Sequence, residues 1–185
     1  MTPPLPPDPL AALRPLVRGL GGLDQADRVR RGMQLLASLP RPPVGTTPHE
    51  VIHRQNKLQL RYYAPAAERR TATPVVVVPS MINRATICDL EPDRSLVGGL
   101  ARLGHPTYLV DWGIPGPEDA GDDVAHVVLD LLDRAIRRAR RHARRPGATA
   151  SPRAFVLGYC QGGTLAVMHA ALRPDCIAGL VALNA

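Results

Sequence analysis

Between residues 74 and 183 the chain alternates short apolar runs with longer stretches in which apolar residues recur every three or four positions. Pro74-Val-Val-Val-Val-Pro79 is an unbroken β-branched run, the pattern of a strand covered on both faces, as parallel sheets require. Thr107-Tyr-Leu-Val-Asp111, Arg153-Ala-Phe-Val-Leu157 and Ile177-Ala-Gly-Leu-Val-Ala-Leu183 predict three further strands. Between them, residues 95–103 predict a helix closed by Gly104, a residue suited to a helix C-terminus. Residues 122–145 predict a long helix with Val124, Val128, Leu131, Leu132, Ala135 and Ile136 on one stripe, and residues 164–172 predict another. Upstream, Glu50-Val-Ile-His-Arg54 and Lys57-Leu-Gln-Leu-Arg-Tyr-Tyr63 flank Gln55-Asn56 and predict an antiparallel hairpin. A hairpin followed by alternating strands and helices implies an α/β fold with a doubly wound, mostly parallel sheet.

The pattern is different before residue 44. Residues 1–9 are rich in proline and are expected to be disordered. Apolar spacing permits helix over residues 10–39, but Pro15 and the glycine cluster at 19–22 predict that it is broken or divided in two. Pro40, Pro42 and Pro43 then form a stiff connector. The expected organisation is a proline-rich, partly helical segment over 1–43 and an α/β domain over 44–185. The N-terminus has neither a basic start nor an apolar run, so it does not read as a secretory signal. No stretch approaches the roughly 18 apolar residues of a membrane span. A cytoplasmic location is the expectation.

Charge and cysteines narrow the chemistry. The formal net charge is +7, and Lys57 is the only lysine, so the excess is arginine. Much of it lies at 134–145, at the end of a predicted helix that begins with Asp122 and Asp123. Acid at the start and base at the end suit the helix dipole. The run therefore reads as a solvated helix end. With 3% aromatic residues and no recognition motif, it does not imply nucleic acid. Cys88, Cys160 and Cys176 form no CxxC pair, so neither a metal nor another cofactor is expected.

Cys160 alone has a special context. Gly158-Tyr159-Cys160-Gln161-Gly162 follows a predicted strand and precedes a predicted helix, as a nucleophile elbow does. There the turn is so sharp that the nucleophile sits in strained backbone geometry with its side chain standing free. Gly158 and Gly162 are expected because a Cβ at either position would strike the neighbouring strand or helix. The thiol lies at a helix N-terminus, where the dipole potential favours an anion. Gln161 would donate its backbone N–H to an oxyanion. A glycine-rich turn with an incidental cysteine is the competing reading, and the strand-then-helix context argues against it.

Several motifs in order make the chain resemble the polyhydroxyalkanoate (poly-3-hydroxybutyrate) synthases, α/β-hydrolase-fold enzymes that polymerise hydroxyacyl-coenzyme A thioesters. They are Val44-Gly-Thr-Thr-Pro-His-Glu-Val51, Asn56-Lys57-Leu58, Pro79-Ser-Met-Ile-Asn-Arg84, Asp89-Leu-Glu-Pro-Asp-Arg-Ser-Leu96, Leu109-Val-Asp-Trp-Gly113 and Gly158-Tyr-Cys-Gln-Gly-Gly-Thr164. The short N-terminal region resembles the smaller synthases that work with a second subunit. Thr86-Ile-Cys88 departs from the bulkier residues frequent at that place. The resemblance implies an acyltransferase in which Cys160 forms a covalent acyl-enzyme from a 3-hydroxyacyl-CoA. It also implies Gln161 and Ile82 as backbone oxyanion donors, and a second synthase subunit and the polyester granule surface as partners.

In this fold an acid and a histidine follow the nucleophile in the chain. Only His169 and Asp175 do so here, and His169 lies about 10 Å along its helix from the elbow. The chain therefore reads as the N-terminal part of a synthase, an α/β-hydrolase fold truncated after the strand that follows the nucleophile helix. It is expected to be poorly soluble and inactive in polymerisation. Two rivals remain: a dienelactone-hydrolase-like cysteine hydrolase, and a noncatalytic remnant that binds granules or a partner subunit.

Overall fold

The computed structural model describes residues 22–39, 43–65, 73–144, 146 and 153–185. The chain divides into two compact units, Met1–Pro42 and Pro43–Ala185. In the first, helix α1 spans Gly22–Ser38, with Val29, Met33 and Leu36 at helical spacing. The proline-rich head, Pro15 and the beginning of the expected broken helix lie outside the described residues.

The second unit is built on a six-stranded sheet. Its strands are β1 (Glu50–Gln55), β2 (Leu58–Tyr63), β3 (Val75–Val78), β4 (Thr107–Asp111), β5 (Ala154–Tyr159) and β6 (Ile177–Leu183). They lie in the order β1-β2-β4-β3-β5-β6. The hairpin β1–β2 joins antiparallel to β4, and β4, β3, β5 and β6 run parallel. The hairpin turns one residue later than expected, at Asn56-Lys57, because Asn56 takes the left-handed conformation (φ 50°) and Gln55 still pairs with Leu58.

Helices cover both faces. Helix α2 (Leu96–Arg102) lies on one, and α4 (Gln161–Leu172) lies on the other. Beside α4 runs α3, a continuous rod made of α-helix Val124–His126, a π-helical stretch Val127–Leu132 and α-helix Asp133–Ala143. The four valines of β3 are all buried, and alternate ones serve opposite cores. Val76 and Val78 meet Leu132, Ile136, Leu165 and Ala166, while Val75 and Val77 meet Val97 and Ala101. Burying one such side chain contributes about 1.5–3 kcal/mol. The unbroken β-branched run is thus the central strand of a sheet covered on both faces.

The structure departs from the expected pattern at two helices. The π stretch widens one turn of α3, so residues before and after it lose phase. Val124 is consequently 58% exposed, and Val127, with Ala139 further along, joins the buried stripe. Helix α4 starts at Gln161, three residues before the expected Thr164, because Gly162 and Gly163 are already in its first turn. The arginines at 134, 137, 138 and 141 are exposed, as a solvated helix end requires.

Candidate active site

Strand β5 hands the chain to α4 through one residue, Cys160, at φ 54° and ψ −133°. A side chain at positive φ is strained by roughly 1–3 kcal/mol and persists only where its surroundings dictate it. Here they do. The Cys160 N–H donates to the Leu183 carbonyl at 2.8 Å, and Gly163 N–H donates to the Cys160 carbonyl at 2.7 Å. A Cβ on Gly162 would stand 2.1 Å from the Val78 carbonyl oxygen, and one on Gly158 would stand 2.4 Å from Gly163 Cα. The helix start is therefore pressed against the ends of β3 and β5, and only glycine fits both contacts. Cys160 is half-buried, whereas the thiols of Cys88 and Cys176 are buried. Burial, and then the charge of Asp89, push the Cys88 thiol up to about 11. Burial likewise raises Cys176 above the ordinary thiol range.

The loop after β3 meets the elbow through the Gln161 side chain. Its Oε1 accepts from Met81 N–H at 3.1 Å and from the Ser80 hydroxyl at 3.4 Å. Ile82 is 80% exposed, and its N–H donates to Ser80 Oγ at 3.1 Å. Gln161, as the first residue of α4, holds one of the four N–H groups that a helix start leaves without an intrahelical partner. The structure thus brings Cys160, Gln161 and the Ile82 loop together, with Ile82 N–H turned toward Ser80. The clasp made by the Gln161 side chain was missed by sequence reasoning, which gave that residue a backbone role alone.

Beside the elbow opens a cleft of about 270 Å³. It is lined by the apolar Met81, Trp112, Leu131 and Leu165 and by the charged Lys57 and Asp122. Trp112 is fixed by an N–H bond to the Pro79 carbonyl at 2.9 Å. Lys57 Nζ lies 2.6 Å from both Glu118 and Asp119, and Gly116 N–H donates to Asp119 at 2.7 Å. The hydrogen bonds to those carboxylates raise Lys57 above its ordinary value, and the Lys57 ammonium lowers Glu118 and Asp119 below theirs. Asp111 shapes the loop after β4 by accepting from Gly113 N–H at 3.0 Å and pairing with Arg61.

No hydrogen bond or ion pair joins Cys160 to a histidine or a carboxylate among the described residues. His169 is fully buried on α4 and faces away, its Nε2 lying 3.1 Å from Asp133 Oδ1. Asp175 is exposed in the turn Pro174–Cys176.

Other recognisable motifs turn out to be scaffolding. The Asp89 carboxylate, 1% exposed, accepts from Thr47 Oγ1 and from Ser95 Oγ at 2.6 Å. Its backbone carbonyl accepts from Gly45 N–H at 2.6 Å, and Ser95 Oγ in turn caps α2 by accepting from Gly98 N–H at 2.9 Å. The segments around 44–51 and 89–96 are therefore knotted together through one buried carboxylate.

Comparison with known proteins places these features. Residues 42–99 match the family model described as the poly-beta-hydroxybutyrate polymerase (PhaC) N-terminus. The chain is 34% identical over 154 residues to a poly(3-hydroxyalkanoate) polymerase subunit PhaC of Haloferax mediterranei, covering 83% of this chain and 30% of that one. The chain is a relative of the poly(3-hydroxyalkanoate) polymerases. It is also 30% identical over 163 residues to the PhaC subunit of Thiocystis violacea, covering 87% of this chain and 44% of that one. It thus spans less than half the length of these two polymerase subunits. Among solved structures, a thermostable carboxyl esterase from Bacillus coagulans superposes with a TM-score of 0.53 at 14% identity, over 73% of this chain and 43% of that one. The fold is that of the α/β-hydrolases. Among the described residues no helix is long and apolar enough to cross a membrane.

Proposed function

We propose that Cys160 is the nucleophile of a polyhydroxyalkanoate-synthase-type acyltransferase acting on 3-hydroxyacyl-CoA. The observation that carries this reading is the strained positive-φ backbone of a cysteine held between a sheet strand and a helix N-terminus. In this reading the Cys160 sulfur attacks the thioester carbonyl, a new C–S bond forms, and coenzyme A leaves as its thiol. One thioester replaces another at nearly equal energy, so the acyl group remains activated. A hydroxyl then attacks, an ester bond forms and the Cys160 thiol is regenerated. The tetrahedral oxyanion is held by the backbone N–H groups of Gln161 and Ile82. For Ile82 this requires its N–H to swing away from Ser80 Oγ.

Among the described residues no histidine is bonded to the sulfur, so in this reading the chain by itself acylates once and does not turn over. The base is supplied from outside these residues. A second synthase subunit and the surface of a polyester granule complete the reading, with the protein in the cytoplasm. The relatives' designation as polymerase subunits supports the first partner.

Intact-protein mass spectrometry after incubation with 3-hydroxybutyryl-CoA tests this. One acyl adduct is expected on the chain and none on Cys160→Ala. An adduct that persists in Cys160→Ala, or none on a chain shown to be folded by circular dichroism, would sink the nucleophile. Sustained polymer formation by the 185-residue chain would overturn the single-turnover claim.

A further inference from the structure

On the far side of α4 from the elbow, three elements bring Asp133, His169 and Cys176 together. Asp133 opens the last segment of α3, His169 lies in the final turn of α4, and Cys176 closes the turn before β6. One carboxylate oxygen, one ring nitrogen and the sulfur lie within 4.8 Å of one another. All three residues are buried, at 6%, 0% and 8% exposure.

The surroundings make this more than a polar accident. The sulfur is embedded in the apolar core with Leu132, Ile136, Leu165 and Ala166. Asp133 is already oriented, because Arg137 holds its second oxygen at 2.9 Å while the first faces His169 Nε2 at 3.1 Å. Cys176 Sγ donates only to the Arg173 carbonyl, at 3.1 Å. His169 Nδ1 is buried with no hydrogen-bond partner. The ring turns Nε2, not Nδ1, toward the Asp133 oxygen, so Nε2 is the nitrogen that an ion shared with that carboxylate would use. A cation there would take the place of the Nε2–Asp133 hydrogen bond and draw on a sulfur, an imidazole and a carboxylate that already lie side by side.

We propose that Asp133, His169 and Cys176 form a binding site for one divalent transition-metal ion, with zinc the ion that this donor set fits. Thiolate and imidazole favour zinc over the hard cations, and a carboxylate completes a mixed set of a kind that zinc accepts. On binding, the Cys176 thiol loses its proton to solvent and a metal–sulfur bond forms. His169 would bind through a ring nitrogen and Asp133 through a carboxylate oxygen. No oxidation or reduction is involved. Arg137 would act as the outer partner that keeps the carboxylate in place, as second-layer groups do around bound metals. Because two helices and the connection into β6 meet at this point, bound metal would fasten α4 to α3. The site does not depend on the chemistry of Cys160.

Cobalt(II) titration of the full 185-residue chain carrying Cys88→Ser and Cys160→Ser tests the site. A thiolate-to-cobalt charge-transfer band is expected, saturating at one equivalent and bleached by one equivalent of zinc. Cys176→Ser in the same background should abolish the band, and Asp133→Asn or His169→Gln should weaken cobalt binding at least tenfold. Zinc should raise the thermal midpoint of the parent but not of Cys176→Ser, since a ligand stabilises only the state that binds it. Cys176→Ser is nearly isosteric and decides the test if the His169 variant fails to fold. A folded parent with no band, or an equal band in Cys176→Ser, would overturn the proposal.

Discussion

The elbow at Cys160 and the buried carboxylate at Asp89 are both fixed points of this fold, yet they are fixed by opposite means. At the elbow the constraint is backbone against backbone. Gly158 and Gly162 lie where main-chain atoms of neighbouring segments leave no room for a Cβ, and Cys160 is forced to positive φ between them. At Asp89 the constraint is polar. One carboxylate gathers hydroxyls from residues 47 and 95, with no arginine or lysine paired to it among the described residues. A steric lock of the first kind has no slack, whereas a hydrogen-bonded knot can lose one partner and partly recover through water. The difference predicts which region breaks harder.

The largest effect is expected at Gly162→Ala. The added methyl would lie 2.1 Å from the Val78 carbonyl oxygen and 2.6 Å from that of Pro79. Both are backbone atoms of the central strand and its exit, so relief requires moving β3 or α4. A loss of at least about 4 kcal/mol, at the extreme of single substitutions, is expected in urea unfolding. Gly99→Ala is the internal contrast. It lies in α2 with nothing within 4 Å of the added carbon, and should gain up to about 1 kcal/mol from helix propensity. Equal stabilities for the two variants would show that the close approach at the elbow is absent in solution.

Next comes Asp89→Ala, which removes the acceptor shared by the Thr47 and Ser95 hydroxyls; they lie 3.2 Å apart in a partly buried place, so only one of the two donors can turn to the other. A cost of about 2–3 kcal/mol is expected by the same unfolding measurement, since stranded buried donors lose their full desolvation compensation. Asp89→Asn keeps an acceptor oxygen and should recover about half of it. If Asp89→Ala proves as damaging as Gly162→Ala, the distinction between a steric lock and a polar knot fails.

The same contrast explains what could be read from the chain before its fold was known. The elbow was legible because its constraint is local. Six consecutive residues, preceded by a strand pattern and followed by a helix pattern, contain the turn, the glycines and the thiol. The β3 valines were legible for the same reason, since an unbroken β-branched run reports burial on both faces without reference to any partner. The Asp89 knot spans 42 residues to Thr47, and Asp133 meets His169 across 36, so no window along the sequence contains either. The 44–51 and 89–96 segments were recognisable as family motifs, but their reason for being motifs appears only when one carboxylate is seen to hold both. The phase of α3 was lost for a subtler cause. A π turn leaves no compositional mark, so the stripe counted from Val124 was carried straight through a stretch where the helix unwinds.

The smallest expected effect is a pH dependence carried by His53 on the outer strand of the hairpin. Its ring is partly buried, and Nε2 has no hydrogen-bond partner. Burial, and then the nearby charges of Arg138 and Arg134, hold its pKa below the ordinary histidine value, while a hydrogen bond to Gln55 opposes them in part. The sign follows from linkage. Protons bind the unfolded chain more readily than the folded one, so stability is complete above the unfolded pKa of about 6.5 and falls as the pH drops through the lower folded value. Urea midpoints measured between pH 7.5 and pH 5.5 should therefore decline for the parent chain and decline less for His53→Gln, which cannot charge. The difference between the two slopes, rather than either slope, is the informative quantity. Parallel slopes would mean that neither burial nor the two arginines of α3 hold His53 low in solution.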